Sequence, residues 1–163
     1  MEQTQHIVQA QILRFELAGE HYAFDVLKTK EVLAIVKVTP LPNALSYLSG
    51  VVNLRGSIIP VVDLRKKFGL PPTPDTIDTS IIIVEIQNHD DTVVIGTIVD
   101  AVKGVTSFDE KEIEPPPRFG MRLKSSLIQS IAKKDGDFVV ILDVDKVFAE
   151  DELTEILGHP EAS

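Results

Sequence analysis

Residues 49–69 read SGVVNLRGSIIPVVDLRKKFG, and this stretch decides the class of fold. Two short apolar runs, Val51 to Leu54 and Ser57 to Val62, flank the dipeptide Arg55-Gly56, which predicts two strands joined by a tight turn. Asp63 follows the second run and predicts a short helix through Phe68, because its carboxylate can accept hydrogen bonds from the first helical N–H groups. The stretch therefore predicts a β-hairpin followed by one or two turns of helix.

The composition favours short strands over long helices. The 163 residues include ten prolines, no tryptophan and no cysteine, and the many Val and Ile residues are typical of strands. The absence of cysteine excludes disulfides and thiolate metal sites. The formal charge of -9 and the scattered basic residues argue against nucleic acid as a partner, since nucleic-acid binders usually carry a basic stripe. No signal-peptide pattern and no apolar run of about 18 residues is present, so we expect a cytoplasmic protein without direct membrane insertion.

The rest of the chain predicts more strands and turns. Three further hairpins are predicted, over 12–27, 80–99 and 127–142. The last of them turns at Asp135-Gly136, a dipeptide suited to a type I′ turn. Single strands are predicted over 31–38 and 102–108, and the proline-rich segment 114–120 predicts a surface loop because proline lacks a backbone donor.

Segments of the first half recur in the second half. PVVDLRKKF at 60–68 matches VILDVDKVF at 140–148, and FDVLK at 24–28 echoes VDAVK at 99–103. We interpret these matches as an internal repeat, although chance similarity among Val- and Asp-rich strands is an alternative. The repeat predicts one domain, 1–163, with two small β subdomains, 12–69 and 80–148, that bury a shared apolar surface. The tail predicts a short C-terminal helix over 150–157, which Gly158 ends.

Motifs for catalysis or for ligand binding are missing. The sequence has no nucleophile elbow and no glycine-rich phosphate loop. The calcium-loop spacing fails, because the twelfth position counted from Asp135 is Lys146 instead of Glu. Aspartates at predicted strand ends are explained more simply as caps of backbone donors. The alternative is a carboxylate pair for hydrolysis, which would form only in the folded chain. We expect no enzyme activity, no metal and no cofactor, and surface positions for His6, His21, His89 and His159.

Residues 49–69 also resemble the signature of the CheW family, G-x-x-N-L-R-G-x-I-x-P-V-x-D-L-R-x-x-F. The resemblance extends over nearly the whole chain. It implies a mainly β fold of two SH3-like barrels with a few short helices, and a chemotaxis scaffold that acts by contact alone. CheW-like proteins bind the helical hairpin tip of a chemoreceptor on one surface. They pair with the regulatory domain of the histidine kinase CheA on others, which recruits them to membrane-associated receptor arrays.

The resemblance also implies which residues contact a receptor. Arg55 can form a fork with a receptor carboxylate or carbonyl, or an internal ion pair with Glu31, and the sequence leaves both open. Val102 and Val105 line a groove or belong to the core. The receptor-binding residues implied are Thr29, Glu31, Asn53, Arg55, Val102 and Val105.

For the kinase side, the resemblance implies Glu114 and Phe119. Phe119 either anchors the partner from the proline loop or folds back into its own core. Family members often carry a basic residue near the position of Glu114, so the acid here departs from the pattern. Structural roles are implied for the signature residues Gly50, Gly56, Pro60 and Asp63. The rival hypothesis is a small-ligand-binding β-barrel without a signalling role.

Overall fold

The structure is a computed structural model. It describes residues 10–34, 37–42, 45–71, 74–88, 90–116, 125–134, 136–148, 152–153 and 156.

Short strands dominate the described residues, as alternating apolar patterns and frequent turn residues predict. Single turns of 3-10 helix lie at Val26–Lys28, Glu110–Glu112 and Ser125–Leu127. In chain order the strands and α-helices are β1 (Ala10–Leu17), β2 (Glu20–Asp25), β3 (Thr29–Ala34), β4 (Leu48–Leu54), β5 (Ser57–Asp63), α1 (Leu64–Lys67), β6 (Ser80–Asn88), β7 (Asp91–Val99), β8 (Ala101–Phe108), β9 (Ile113–Glu114), β10 (Ile128–Lys134), β11 (Asp137–Leu142) and α2 (Val144–Val147).

The strands form two sheets. One has six strands in the order β8-β1-β2-β11-β10-β9, and the other has five in the order β3-β6-β7-β5-β4. The pairs β2–β11 and β5–β7 are parallel, and the other pairs are antiparallel. The mainly β fold predicted from the sequence is confirmed, with the correction that Glu114 ends a two-residue strand instead of starting a loop.

The two sheets repeat one plan with exchanged hairpins. The five-stranded sheet places the hairpin β6–β7 of the second half among β3, β4 and β5 of the first half. The six-stranded sheet does the reverse, with β1–β2 among β8, β10 and β11. The predicted subdomains 12–69 and 80–148 therefore do not coincide with the sheets, because each half completes its partner's sheet.

A shared core lies between the sheets. It contains Phe15 and Phe24 from the six-stranded sheet and Ile82 and Val84 from the five-stranded sheet, all fully buried. Each sheet also encloses a smaller apolar cluster of its own, around Ile141 in one and around Val61 in the other. Burial of the shared surface explains why two barrels of this size form one domain.

The repeated aspartates start the two short helices. The Asp63 side chain accepts a hydrogen bond from the Arg65 N–H at 2.9 Å, and the Asp143 side chain accepts one from the Asp145 N–H at 3.1 Å. Asp63 is the last residue of β5 and Asp143 directly follows β11, and each satisfies a backbone donor that the helix leaves free. The match between 60–68 and 140–148 therefore corresponds to one strand–helix unit that occurs twice.

Arg65 joins three aspartates in a buried ion network, a role that was not predicted from the sequence. Its side chain is 6% exposed and forms a fork with Asp63, with both N–O distances at 3.0 Å. It also donates to Asp100 at 3.1 Å and to the more exposed Asp75 at 3.3 Å. Burial lowers the pKa of Arg65, but the hydrogen bonds and charge of the aspartates outweigh burial and raise it.

Candidate functional site

Arg55 and Glu31 form a bidentate ion pair at the surface. The Arg55 Nη1 atom lies 2.7 Å from Glu31 Oε2, and Nη2 lies 3.0 Å from Oε1. The hydrogen bond from Arg55 and its charge lower the pKa of Glu31, and Glu31 in turn raises the pKa of Arg55. The internal pair that the sequence left open is thus present. The Arg55 side chain is nevertheless 72% exposed, so one face of its guanidinium stays accessible.

This pair joins the two edges of the five-stranded sheet. Glu31 lies on β3 at one edge, and Arg55 lies in the turn that connects β4, at the other edge, to β5. The sheet must curl for these edges to meet, and the pair closes its barrel at that end. We call this end the closed mouth, defined by Glu31 and Arg55.

The turn that carries Arg55 has a defined geometry. Arg55 and Gly56 have φ angles of 52° and 87°, which is the pattern of a type I′ hairpin turn. The Asn53 side chain accepts a hydrogen bond from the Gly56 N–H at 2.9 Å. Asn53 is therefore placed to brace the turn while its side chain stays exposed.

A groove of about 680 Å³ opens beside the closed mouth. Charged and apolar residues line it together, among them Lys30, Glu31, Arg55, Ile58 and Val94. Such a mixture suits a protein surface that is apolar in part and carries a few charges.

The remaining predicted receptor-binding residues lie on the edge strands of both sheets. Thr29 begins β3 and donates its hydroxyl to the Val26 carbonyl at 2.8 Å. Val102 and Val105 lie on β8, which is the equivalent edge strand of the six-stranded sheet. Val102 packs in part against the shared core, whereas Val105 is 56% exposed. The structure thus groups Glu31, Asn53 and Arg55, and it places the two valines on a different sheet.

Several exposed apolar side chains were not singled out from the sequence, among them Leu27, Ile58 and Phe138. Leu27 is 84% exposed on the 3-10 helix that precedes β3, where Asp25 caps its N–H at 2.9 Å. Ile58 and Phe138 are 64% and 58% exposed, and each is the second residue of an equivalent strand, β5 or β11. The repeat offered a signal, because Ile58 and Phe138 occupy matching positions ahead of Asp63 and Asp143.

The predicted kinase side lies on the six-stranded sheet. Glu114 is exposed on β9 and pairs with Lys133 of β10 at 2.9 Å. The same Lys133 amino group lies 5.4 Å from the centre of the Phe138 ring. Glu114, Lys133 and Phe138 therefore form one exposed cluster. Phe119 and the end of the proline loop lie outside the described residues.

Two signature residues have clear backbone roles. A Cβ at Gly50 would lie 2.0 Å from the Thr39 carbonyl oxygen, so the close approach of Thr39 to β4 requires glycine. Pro60 lies in β5 one residue before the pairing with β7 begins at Val61. At Pro60 the strand therefore pairs with β4 alone, which is a position where a strand tolerates proline.

In the parts of the chain that the structure describes, no group of three or more His, Asp or Glu side chains is arranged to hold a metal ion. No helix within those parts has the length and apolar character needed to cross a membrane.

Comparisons with known proteins agree with this architecture. A family model described as a CheW-like domain matches residues 11–152. The chain belongs to the CheW family. It is 34% identical over 133 residues to the chemotaxis protein CheW of Bacillus subtilis, covering 82% of this chain and 83% of that protein. It is 33% identical over 143 residues to the chemotaxis protein CheW of Thermotoga maritima, covering 86% and 88%.

A solved structure shows the same fold. The scaffolding protein TtCheW from Thermoanaerobacter tengcongensis superposes with a TM-score of 0.78 and 36% identity, covering 89% of this chain and 96% of that one. Membership of the CheW family places the chain among chemotaxis scaffolds and confirms the resemblance found in residues 49–69.

Proposed function

We propose that this chain is a non-enzymatic adaptor that couples methyl-accepting chemoreceptors to the histidine kinase CheA. In this proposal it acts in the cytoplasm and is recruited to membrane-associated receptor arrays. One surface binds the helical hairpin tip of a receptor, and others pair with the regulatory domain of the kinase. The observation that carries the proposal is the accessible Arg55 beside a mixed groove, in a chain of the CheW family.

The receptor surface consists of the closed mouth and the two edge strands. Arg55 presents the free face of its guanidinium, and a planar fork suits a receptor carboxylate. Glu31 holds that group through the ion pair, and Asn53 braces the turn that carries it. Thr29 at the start of β3 and exposed Val105 on β8 extend the surface along the two edge strands. An amphipathic helix offers both kinds of group along one face, which is how helices bind mixed grooves.

The kinase surface includes Glu114 and Phe119, and exposed Phe138 extends it. Phe138 adjoins the Glu114–Lys133 pair, and an exposed aromatic ring beside charges is typical of residues that dominate binding energy. Ile58 presents a matching apolar group on the other barrel. Two such ends allow one adaptor to pair with two related barrel domains, as a ring of kinase and adaptor requires.

Co-sedimentation with receptor signalling-domain arrays and kinase tests the proposal. The wild-type chain is expected to carry kinase into the pellet and to raise kinase activity. Arg55→Ala keeps an L-residue at the same positive φ, so the turn strain is unchanged while the fork is lost. A folded Arg55→Ala chain is expected to bind the receptor with an affinity lower by about tenfold or more, because it lacks one charge-assisted hydrogen bond.

A charge-swapped pair separates the internal role of Arg55 from the external one. Glu31→Arg combined with Arg55→Glu restores an ion pair between the same positions but presents the opposite charge to a receptor. Recovery of binding by the double variant would make Arg55 a purely structural residue. Persistent loss, with an unchanged circular dichroism spectrum, supports direct contact with the receptor.

Phe138→Ser tests the kinase surface in the same assay. It is expected to weaken kinase recruitment and to leave receptor binding unchanged, because Phe138 on β11 lies on a different sheet from Arg55 and is separated from Val105 on β8 by the strands β1 and β2. If the wild-type chain bound neither receptor nor kinase, the coupling function would be wrong. Screening of the groove of about 680 Å³ for small ligands would then follow, since its size lies in the range of roughly 300–1,000 Å³ that ligand sites occupy.

A further inference from the structure

The two barrels have equivalent mouths with different chemistry. In the five-stranded sheet Ile83 lies opposite Gly96 on one side and Glu31 on the other. At the same register in the six-stranded sheet, Arg14 lies opposite Ala23 and Gly104. Arg14 thus replaces a fully buried isoleucine, and Gly104 replaces the acid that closes the other mouth. We call this second end the open mouth, lined by Arg14, Thr106, Phe108, Lys134, Asp137 and Val139.

Arg14 lines this mouth, and within the described parts of the chain it forms no ion pair with an acid. Its Nε atom is buried and has no hydrogen-bond partner, although a buried donor normally finds one. Among the described residues no carboxylate forms an ion pair with Arg14 or with Lys134. Asp137 lines the same pocket but makes no ion pair with either cation. Of the described residues that line the open mouth, two are therefore cations, and the one acid among them forms an ion pair with neither.

The position of the missing acid is open space. A Cβ built on Gly104 would have nothing within 4 Å, whereas the equivalent Glu31 fills that position in the closed mouth. The Lys134 amino group lies over the Phe108 ring at 5.6 Å from its centre and so stays at the rim of the pocket. Arg14 and Lys134 thus line a pocket of a barrel in which the position equivalent to Glu31 carries no side chain.

We propose that the open mouth binds a carboxylate group supplied from outside the chain. The pocket measures about 120 Å³, well below the roughly 300 Å³ at which sites for larger organic ligands begin. The guanidinium of Arg14 forms the fork, Lys134 adds a second charge, and the Thr106 hydroxyl is available as a further donor. The carboxylate comes either from a small organic acid or from an aspartate or glutamate side chain of a protein partner.

A titration with sodium acetate tests whether the carboxylate comes from a small organic acid. Amide resonances of residues 14, 104–106 and 134 are followed in isotopically labelled protein, against sodium chloride at equal ionic strength. The wild-type chain is expected to show saturable shifts at acetate concentrations on the order of millimolar. Arg14→Ile, which installs the residue of the other mouth, is expected to weaken acetate binding roughly tenfold or more. Lys66→Gln, which removes an exposed charge on α1, is the matched control and is expected to change nothing.

The acetate affinity of Asp137→Asn provides a second test. It would not change if Arg14 had a merely structural role. Removal of this acid is expected to tighten acetate binding by about two- to fivefold, since it removes repulsion of the ligand. Acetate shifts in the wild type that equal those of chloride would count against a free acid, and so would an acetate affinity that is unchanged or weaker in Asp137→Asn.

The second arm measures binding of the kinase regulatory domain, and only this arm rests on the proposed function. If acetate fails to bind but Arg14→Ile weakens kinase binding and Lys66→Gln does not, the carboxylate comes from the partner. If wild-type kinase binding is itself absent, the proposed function fails and the acetate arm alone decides. The inference is overturned if acetate acts like chloride and Arg14→Ile binds the kinase as the wild type does.

Discussion

Replacement of the buried Arg65 by methionine should destabilise the whole domain. The change keeps most of the side-chain volume but removes the cation that holds Asp63, Asp100 and Asp75 together. Asp63 and Asp100 are 8% and 15% exposed, so both carboxylates would lose their counter-charge in a poorly solvated place. Such uncompensated charges are the reason why breaking a buried pair is costly.

The expected loss follows from these contacts. Breaking a buried ion pair costs about 3–5 kcal/mol, and the 60% exposed Asp75 adds at most about 1 kcal/mol. Asp63 keeps the Arg65 N–H as a donor, and Asp100 keeps the Ala18 N–H at 2.7 Å. These remaining bonds place the cost near the lower limit, about 3 kcal/mol. With a urea dependence of about 2 kcal/mol per molar, the unfolding midpoint should fall by about 1.5 M.

Urea unfolding followed by far-ultraviolet circular dichroism measures this loss, since the chain has no tryptophan. Lys66→Met, at the exposed neighbour of Arg65, is the control and should change stability by about 0.5 kcal/mol or less. Adding Asp100→Asn to Arg65→Met should cost less than the two single changes summed, because the partners act together. A loss below about 1 kcal/mol for Arg65→Met would refute the role assigned to this network.

Three further predictions concern the hairpin, the exchange of strands and pH. Gly50→Ala should lower the free energy of unfolding by about 2 kcal/mol or more, because its Cβ would collide with the Thr39 carbonyl. Gly56→Ala should lower it by about 1–2 kcal/mol in the same urea assay, because position 56 has a positive φ but open space for a Cβ. Separately expressed segments 1–78 and 79–163 should lack cooperative thermal unfolding and regain it when mixed, because neither holds a complete sheet; cooperative unfolding of one segment alone would contradict this. In the folded chain the pKa of Glu31 lies below its ordinary value of 4.5, because Arg55 stabilises the charged carboxylate. The pair therefore contributes stability above pH 4.5, and this contribution is lost as the pH falls through the lowered pKa. The urea midpoints of wild type and Arg55→Ala should differ at neutral pH and converge in acid.

Local structure was predictable because it depends on neighbouring residues. The run 49–69 predicted β4, β5 and the helix that Asp63 caps, and each was found. The hairpin turn was predictable in the same way, since Gly56 takes a positive φ without strain.

The exchange of hairpins between halves was not predictable, because the local sequence of a strand does not indicate which distant strand it pairs with. Both β2 and β7 contain a run of buried residues, and neither sequence indicates which strand it pairs with. The burial of Arg65 was hidden for the same reason. Its three aspartates lie 2, 10 and 35 residues away, and only the folded chain brings them together. The internal pair of Arg55 and Glu31 likewise depends on closure of a barrel.

The exchange of hairpins also determines which substitutions can test a binding surface. Because both sheets share one core, a change that perturbs that core weakens the receptor side and the kinase side together. Val102 packs against the shared core, so loss of binding in a Val102 variant would not separate contact from stability. Val105 at 56% exposure and Arg55 at 72% carry side chains that leave the core untouched when shortened. A binding defect in the Val105 variant, with an unchanged unfolding midpoint, therefore assigns the loss to the surface itself. For Arg55, whose pair with Glu31 contributes stability at neutral pH, the charge-swapped double variant separates contact from stability.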